Sequence, residues 1–275
     1  MAGFLASLHW VLELTCHFRV QYLAASFVCG VVLLFFRDYR WSVAALSGVL
    51  LNGAVVVPWF VGGVTSAPTP SAKTFRVLLS NVFTNNRNSA ALLKLIQSEA
   101  PDLVVLQEVD DRWVEEMQPL QGLFPHGKAI PRSDNFGIAL WSRFPLTQVS
   151  DLTLSEIDVP SILAAFTWNG KPIFILATHP LPTGRKEGFE ARNEQLNKIA
   201  NLARDSQAPL AVIGDLNVTM FSPYYAKLMR DSQLTNARKG AGVLPTWPTF
   251  FPLLAIPLDH CLVSRTFRVA QTICR

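Results

Sequence analysis

The chain before about residue 65 is mostly apolar, whereas strand-like and helix-like patterns of polar and apolar positions occupy the remainder. Two runs, Val20 to Phe36 and Trp41 to Val61, contain no acidic or basic side chain, and Arg37-Asp38-Tyr39-Arg40 separates them. A helix needs roughly 20 apolar residues to cross about 30 Å of hydrocarbon, and each run approaches that length. The pattern therefore predicts a transmembrane helical hairpin with a tight turn, and it assigns residues 1–63 to a membrane anchor.

The first segment, Met1 to Phe18, fits neither a signal peptide nor a full membrane span. His9, Glu13 and His17 interrupt its apolar pattern, and it lacks a basic start and a small-residue cleavage site. Two interpretations stay open. The segment either lies on the membrane surface or is the remainder of a longer anchor.

The charges around the hairpin predict its orientation. Arg37 and Arg40 flank the short loop, whereas the segments beyond the two runs hold a lone Arg19 and a late Lys73. Because basic residues favour the cytoplasmic side, the loop is expected there. The chain is then an inner-membrane protein whose large C-terminal domain faces the periplasm or the cell exterior.

Residues 64–72 are rich in Pro, Ser and Thr and predict a short semi-rigid linker, so that a soluble domain occupies residues 73–275. Apolar runs predict its strands, and apolar faces predict its helices. We expect strands at Phe75 to Leu79, Leu103 to Leu106, Ile138 to Trp141, Ile162 to Thr167, Ile173 to Ala177, Leu210 to Ile213, Leu258 to Val263 and Phe267 to Ile273. We expect helices after Asn88, over Phe189 to Ala203 and near Tyr224 to Arg230. This order predicts mixed sheets packed together and covered by helices.

Polar side chains follow several of these strands. The strand from Leu210 to Ile213 stops at a Gly-Asp-x-Asn sequence, which also has the composition of a simple turn. Ligands of α/β sheets bind beyond the strand ends, and two carboxylates with amides suit a hard cation such as Mg²⁺. The candidate set consists of Asn81, Glu108, His179, Asp215, Asn217 and Asp259.

Charge and cysteine content narrow the possible functions. The net charge of +4 and the pI near 9.0 suit a phosphate-bearing substrate, but no Lys/Arg run indicates nucleic-acid binding. The four cysteines have no metal-ligand spacing.

Taken together, the ordered motifs resemble those of the endonuclease/exonuclease/phosphatase superfamily, in particular its bacterial membrane-anchored members. They are Asn81 after a strand, Pro101 to Glu108, Phe136 to Leu140 with Ser142 to Pro145, Thr178-His179-Pro180, Gly214 to Asn217, Thr246-Trp247-Pro248 and Leu258-Asp259-His260. The resemblance implies a four-layer α/β sandwich, in which helices flank two packed mixed β-sheets. It also implies hydrolysis of a phosphoester, either a phosphodiester or a phosphomonoester, with Mg²⁺ or Mn²⁺; family members cleave nucleic acids, lipid head groups and other phosphoesters.

The resemblance implies a role for each site residue. Glu108 would be the main metal ligand, with Asn81 helping to hold the metal or the phosphate. Asp215 would position or deprotonate the attacking water, and Asn217 would orient Asp215 and bind the phosphate. His179 would donate a hydrogen bond to a phosphate oxygen.

Trp247 would complete the substrate-binding set, and Asp259 would orient a catalytic histidine. In the family that histidine belongs to a later Ser-Asp-His motif, which the sequence does not reach before Arg275. His260 is no replacement, because adjacent strand residues point to opposite faces. Phe83 stands where some relatives carry an acid, which argues against a second metal. We therefore expect a truncated domain, and an alternative is a catalytically impaired or non-catalytic member that at most binds a metal and a phosphate ligand.

Overall fold

The computed structural model describes residues 2–62 and 73–275 of the chain. The predicted linker, residues 64–72, lies outside the described residues.

The N-terminal part is helical and folds into a hairpin. A 3-10 turn at Ala2–Leu5 precedes α1 (Trp10–Cys16), α2 (Arg19–Phe35) and α3 (Tyr39–Val56), which continues as a 3-10 turn at Val57–Trp59. The two long helices pack closely because Gly30 has no side chain: a Cβ there would lie 2.8 Å from Leu46 Cδ2. The Ser42 hydroxyl also donates a hydrogen bond of 3.0 Å to the Gly30 carbonyl. Residues 19–56 therefore form two helices that pack against each other, and their insertion in a membrane stays a prediction.

The two long helices, α2 and α3, differ in whether their length and apolar character suit a membrane span. Within the described residues, Tyr39–Trp59 is the one helix that is long and apolar enough alone, with a mean hydropathy of 1.6. The second helix, α2, meets the same test only together with α1, from which it is bent by 64°. The sequence predicted two spans, and the helix lengths support one of them directly.

The segment Met1 to Phe18 was expected on the membrane surface or as the remainder of a longer anchor. In the structure α1 packs against the C-terminal domain, and both interpretations of the segment stay predictions. Glu13 is fully buried and forms an ion pair with Arg192, and His17 shares a hydrogen bond of 2.9 Å with Thr219. Two of the polar residues that interrupt the apolar pattern, Glu13 and His17, therefore contact the domain, whereas His9 is exposed and caps the start of α1.

Two mixed sheets form the centre of the C-terminal domain. The first has the order β1-β2-β4-β3, with β1 parallel to β2 and the other pairs antiparallel. The second has the order β5-β6-β7-β8-β10-β9, with only β7 and β8 parallel. The strands are β1 (Val77–Asn81), β2 (Leu103–Gln107), β3 (His126–Ile130), β4 (Ile138–Ser142), β5 (Leu146–Thr153), β6 (Pro160–Trp168), β7 (Lys171–Thr178), β8 (Leu210–Asp215), β9 (Thr235–Asn236) and β10 (Asp259–Val263).

Helices cover the outer face of each sheet. Each parallel pair is joined by a crossover helix, α4 (Ser89–Glu99) between β1 and β2 and α6 (Lys186–Asp205) between β7 and β8. The remaining helices are α5 (Asp111–Glu116) beside α4 and α7 (Pro223–Ser232) beside α6. Between the sheets lies a core of fully buried side chains that includes Val105, Ile138, Ile175 and Ile213. The expected four-layer α/β sandwich is confirmed.

Several element bounds differ from the sequence expectation. The first strand begins at Val77 rather than Phe75, and β8 continues through Gly214 and Asp215. The expected strand at Phe267 to Ile273 is wrong: this segment has no regular structure. Phe267 and Val269 nevertheless pack half-buried against the core between the sheets, which explains the apolar pattern.

The helical hairpin and the domain share a hydrophobic core. Val56 is buried in the same cluster as Leu196 and Leu228 of the α6 and α7 layer. Val20 and Trp59 pack against that cluster from the two helix ends nearest the domain. The root of the hairpin is therefore part of the domain's outer layer.

Candidate active site

The ends of the central strands bring the candidate residues to one edge of the sandwich. In the first sheet, Asn81 at the end of β1 pairs in register with Gln107 at the end of β2. In the second sheet, Asp215 at the end of β8 pairs with Asp259 at the start of β10. Because β8 and β10 are antiparallel, the end of one strand meets the start of the other. The two sheets thus present their polar residues into a common cleft.

Gln107 joins the sheets directly behind the cleft. Its Nε2 donates a hydrogen bond of 2.7 Å to the Thr178 carbonyl, and its Oε1 accepts one of 2.9 Å from the Asp215 backbone N–H. Gly214 permits this approach, since a Cβ there would lie 1.8 Å from the Thr178 oxygen. Gln107 therefore fixes the backbone on which Asp215 stands.

Glu108 and Asn81 form a pair on the first-sheet side of the cleft. Asn81 Nδ2 donates a hydrogen bond of 2.7 Å to Glu108 Oε1. The backbone of Glu108 is left-handed, with φ 62°, and the Thr84 hydroxyl donates to its carbonyl oxygen at 2.9 Å. This turn after β2 aims the carboxylate into the cleft rather than along the strand.

Two carboxylates, the buried Asp215 and the half-buried Asp259, face Glu108 from the second sheet. Burial raises the pKa of Asp215 to about 6, and the nearby Glu108 carboxylate acts in the same direction. Burial likewise raises the pKa of Asp259 to about 6, with Asp215 as a second cause. The Oδ1 atom of Asp259 is buried and has no hydrogen-bond partner among the described residues. Three acidic groups thus concentrate negative charge in one water-poor place.

His179 is the histidine beside these carboxylates. It follows β7, is 3% exposed and packs against Phe136, with the two ring centres 5.5 Å apart and the ring planes tilted by 43°. Burial lowers the pKa of His179, whereas the charges of Glu108 and Asp259 oppose that shift. Its Nδ1 atom has no hydrogen-bond partner in the described chain. A buried polar atom without a partner at a cleft is suited to bind a ligand or a water.

The loop after β8 is held from both sides. The Asn217 backbone N–H donates a hydrogen bond of 2.8 Å to Asp215 Oδ1, which orients that carboxylate. The Asn217 side chain donates to the Pro180 carbonyl at 2.8 Å, and Arg192 Nη1 donates to the Asn217 carbonyl at 2.9 Å. Asn217 has φ 48°, a left-handed conformation that Asn tolerates better than most residues.

Trp247 stands at the mouth of the cleft. Its side chain is 54% exposed, and its carbonyl accepts a hydrogen bond of 2.6 Å from the Ile256 N–H. The cleft wall includes Trp247 together with Leu14 and Phe18 of the N-terminal segment. The predicted substrate-binding tryptophan and two residues of the N-terminal segment therefore line one continuous cavity.

His260, adjacent to Asp259, lies on the opposite face of β10. Its Nε2–H donates a hydrogen bond of 2.8 Å to the Val218 carbonyl, and its Nδ1 accepts one of 3.0 Å from Asn236 Nδ2. Burial lowers the pKa of His260 to about 3. It is a neutral structural histidine, which is consistent with the alternation of side chains along a strand.

Sequence reasoning missed three residues that support the site. In the sequence analysis Gln107 is only one position of the motif Pro101 to Glu108, and Arg192 and Glu13 have no predicted role. The signal for Glu13 was its position as a lone acid in an apolar segment. Arg192 is fully buried on α6, where a charged side chain needs a partner.

The donor set fits a divalent metal. Carboxylate and amide oxygens from Glu108, Asp215 and Asn81 are the hard ligands that Mg²⁺ and Mn²⁺ accept, and the raised pKa of Asp215 indicates uncompensated negative charge. Mg²⁺ typically uses one or two carboxylates and keeps several waters. The side chains of the cleft therefore need not supply every ligand of the ion.

A second cluster has the side chains of a metal site, but its negative charge is already compensated within the protein. Within the described residues, Glu13, Cys16 and His17 are the one group of three such side chains whose ligand atoms lie within 4.8 Å of one another. The Arg192 guanidinium, however, lies 3.2 Å from Glu13 Oε1 and supplies the compensating positive charge. We interpret this group as a buried ionic contact between α1 and the domain.

Comparison with known proteins agrees with the fold. The truncated TDP2 of Caenorhabditis elegans superposes with a TM-score of 0.57 at 19% identity, covering 70% of this chain and 85% of that one. The human nocturnin catalytic domain gives 0.57 at 23% identity, covering 70% and 83%. Sphingomyelinase C from Streptomyces griseocarneus gives 0.55 at 16% identity, covering 70% and 85%. No curated protein sequence matches the chain.

The sequence itself matches a family model. The model of the Endonuclease/Exonuclease/phosphatase family aligns with residues 78–274, which include all the strand-end residues described above. The chain therefore belongs to the Endonuclease/Exonuclease/phosphatase family.

Proposed function

We propose that this chain is a membrane-anchored, divalent-metal-dependent phosphoesterase that hydrolyses a phosphodiester or a phosphomonoester. The observation that carries the proposal is the convergence of Glu108, Asp215, Asp259 and His179 in one cleft, where burial and neighbouring negative charge raise the pKa values of Asp215 and Asp259. Perturbed titratable groups in a cleft are the physical mark of a reactive site. The family supports the same reaction class.

Each residue has a role that its contacts support. Glu108, held by Asn81, would bind Mg²⁺ or Mn²⁺. When bound, the ion supplies positive charge that offsets the negative charge developing on the phosphate. Asp215, oriented by the Asn217 N–H, would accept the proton of the attacking water. The water oxygen bonds to phosphorus, the ester P–O bond breaks, and the departing oxygen takes up a proton.

The remaining side chains would hold the phosphate. His179 is buried with a free Nδ1 at the cleft, so it is suited to hydrogen-bond a phosphate oxygen. Asn217 and Asn81 would add amide contacts, and Trp247 would pack against the group attached to the phosphate. Phosphoryl transfer depends mainly on positioning and on neutralising charge, which such a set can supply.

One observation favours a second candidate, a member that binds metal and phosphate but turns over slowly or not at all. The resemblance assigns Asp259 to orienting a histidine, yet its Oδ1 atom has no partner among the described residues. A missing general acid or base reduces a rate by roughly 10²- to 10⁴-fold.

We also propose the organisation of the chain. Residues 1–63 would anchor the protein in the inner membrane, with 64–72 as the linker and 73–275 as the catalytic domain. The domain would face the periplasm or the exterior, because Arg37 and Arg40 lie at the tip of the hairpin. The apolar helix Tyr39–Trp59 supports the membrane assignment.

The deciding experiment uses the full chain in detergent or lipid nanodiscs. Turnover of a panel of phosphodiesters and phosphomonoesters is measured with Mg²⁺, Mn²⁺ or EDTA, and Mn²⁺ binding is measured separately by spin resonance. Glu108→Gln keeps size and removes charge, so it should abolish both signals. Glu115→Gln, an exposed acid on α5, is the control and should change neither. Mn²⁺ binding without turnover would favour the second candidate, and absence of both would refute the proposal.

A further inference from the structure

A loop beside the cleft is apolar and exposed. The stretch 243–258 contains no acidic, basic or histidine side chain. Within it, Phe250 is 85% exposed and Leu253 is 77% exposed, and Trp247, Phe251 and Leu254 are also exposed. We call residues 247–254 the apolar loop. A cluster of large apolar side chains exposed to water indicates a surface that contacts a partner or a membrane.

The apolar loop lies where the helical hairpin meets the domain. Gln21, in the first turn of α2, donates hydrogen bonds from Nε2 to the Ala255 carbonyl at 3.0 Å and to the Leu253 carbonyl at 3.3 Å. The end of α3 is fixed nearby, since the Gly240 and Gly242 N–H groups both donate to the Trp59 carbonyl at 3.0 Å. Both helix ends and the loop thus share one side of the molecule.

The exposed surface continues from the loop along the hairpin. Directly beyond Gln21, the outward residues of α2 are Tyr22, Phe27 and Val28, all exposed. If the hairpin is inserted in a bilayer, the loop is held at the level where the helices enter it. Aromatic and aliphatic side chains at that level, Trp above all, partition into the membrane interface.

The inner side of the same loop forms part of the candidate site. The Thr246 hydroxyl accepts hydrogen bonds from the Leu258 N–H at 3.1 Å and from the Asp259 N–H at 3.3 Å. Trp247, paired through its backbone with Ile256, lines the cleft that contains Asp259. One short loop therefore connects an apolar outer surface with a carboxylate of the site, so the cleft opens towards the side of the hairpin.

We propose that the apolar loop rests in the bilayer surface and that the substrate is a phosphoester in the head group of a membrane lipid. The inference rests on the proposed function and names its substrate class. A lipid phosphate lies in the polar layer just above the acyl chains, which is where a cleft bordered by an interfacial loop opens. For a soluble phosphoester, an apolar loop beside the cleft would not improve access to the site.

The location of the loop is tested with a fluorescent label. The full chain carries Leu253→Cys labelled with an environment-sensitive dye, in a background without the exposed Cys29 and Cys274, and is reconstituted in phosphatidylcholine nanodiscs. Lipids with a nitroxide near the head group should quench this dye. The same dye at Leu123→Cys, on the opposite outer layer of the sandwich, should not be quenched. If the dye is quenched at neither position, the proposal that the apolar loop rests in the bilayer surface is wrong.

The substrate class is tested with two probes. Vesicles of phosphatidylethanolamine and phosphatidylglycerol present lipid phosphoesters, and bis(p-nitrophenyl) phosphate is the soluble probe. The double variant Phe251→Ser/Leu253→Ser should lose about tenfold or more of the lipid turnover, because two apolar contacts with the bilayer are removed. Its turnover of the soluble probe should be unchanged, and Leu123→Ser should change neither rate.

The outcomes separate this inference from the proposed function. Lipid turnover that is insensitive to the double variant, or turnover of the soluble probe alone, would overturn the lipid assignment while leaving a phosphoesterase. No Mg²⁺-dependent turnover of either probe would overturn the proposed function and the substrate class with it. The quenching result would then still decide where the loop lies.

Discussion

Glu13 of α1 and Arg192 of α6 form an ion pair, with Glu13 Oε1 and Arg192 Nη2 3.2 Å apart and both side chains fully buried. The same carboxylate oxygen accepts a hydrogen bond of 2.7 Å from the Ser222 hydroxyl. Arg192 in turn donates to the carbonyl of Asn217, in the loop that orients Asp215. A residue of the N-terminal segment therefore supports the candidate site through one intermediate side chain.

The first prediction concerns this ion pair. Glu13→Gln removes the negative charge and leaves the buried Arg192 without compensation, which typically costs about 3–5 kcal/mol. We expect the free energy of unfolding to fall by that amount in denaturant titrations of the full chain in mild detergent. Glu187→Gln, an exposed acid in the first turn of α6, should have no measurable effect.

A double variant separates stability from positioning. Glu13→Leu/Arg192→Met replaces the pair by apolar side chains, so stability should recover to within about 1 kcal/mol of the original chain. The hydrogen bond to the Asn217 carbonyl is still lost, so turnover should stay low. Full recovery of turnover together with stability would show that Arg192 has no positioning role.

The second prediction concerns the contact between the sheets. Gly214→Ala places a Cβ 1.8 Å from the Thr178 oxygen of the neighbouring strand β7 and 2.7 Å from Gln107 Nε2 of the other sheet, so the β7 backbone and the Gln107 side chain must both shift. We expect a loss of at least about 2 kcal/mol of stability. Gly122→Ala is the matched control, because nothing lies within 4 Å of its Cβ. Similar thermal midpoints for both variants would contradict the close approach.

Part of this architecture could be predicted from the sequence because its signals are local. Buried runs such as Leu103 to Leu106, and polar residues at their ends, indicate a strand and a cleft without knowledge of the neighbours. The strand β5 was missed because it is mostly exposed and lacks a continuous apolar run. The segment Phe267 to Ile273 was misassigned because apolar side chains can pack against a core without pairing as a strand.

The supporting contacts were beyond the reach of local patterns. Glu13 and Arg192 are far apart in the chain, and neither belongs to a recognisable motif. The same applies to Gln107, whose role depends on the backbone of two strands of the other sheet. Such contacts depend on how distant elements pack, which composition and periodicity do not encode.

The third prediction separates function from stability at Asp215. Asp215→Asn removes a carboxylate whose burial raises its pKa to about 6, so ionising it in the folded chain is costly. We expect turnover to fall by roughly 10²- to 10⁴-fold. The free energy of unfolding near neutral pH should stay the same or rise. Asp205→Asn, an exposed acid at the end of α6, should alter neither, and a strongly destabilised Asp215→Asn would indicate a structural role instead.

The fourth prediction is a pH dependence of stability that originates at His260. Its ordinary pKa near 6.5 is lowered to about 3 in the folded chain. Above about pH 6.5 the residue is neutral in both states, and at lower pH only the unfolded chain binds the proton, so the contribution of His260 to stability falls as the pH is lowered. That contribution falls by about 1.4 kcal/mol per pH unit, or by about 2 kcal/mol between about pH 7 and about pH 5. The raised pKa values of Asp215 and Asp259 act in the opposite direction over the same range, so the test compares variants rather than the slope of one chain.

The variant His260→Gln tests this assignment, because Gln retains a donor for the Val218 carbonyl but does not titrate. Relative to the original chain, its stability should rise by about 2 kcal/mol as the pH is lowered from about 7 to about 5. His126→Gln, at a partly exposed position in β3, should keep the original slope. An unchanged slope in His260→Gln would assign the pH dependence to other groups.

The fifth prediction uses a natural cysteine to test the orientation of the domain. Cys274 is exposed on the C-terminal segment of the domain, whereas Cys16, the last residue of α1, is buried. If Arg37 and Arg40 hold the hairpin loop in the cytoplasm, Cys274 lies outside. A membrane-impermeant maleimide should then label it in intact spheroplasts, and Cys274→Ser should abolish that labelling.

Cys29 is exposed on the apolar surface of α2, where lipid would shield it from the reagent. Labelling of Cys274 only after the membrane is permeabilised would place the domain in the cytoplasm, and the cleft would then face lipids of the inner leaflet.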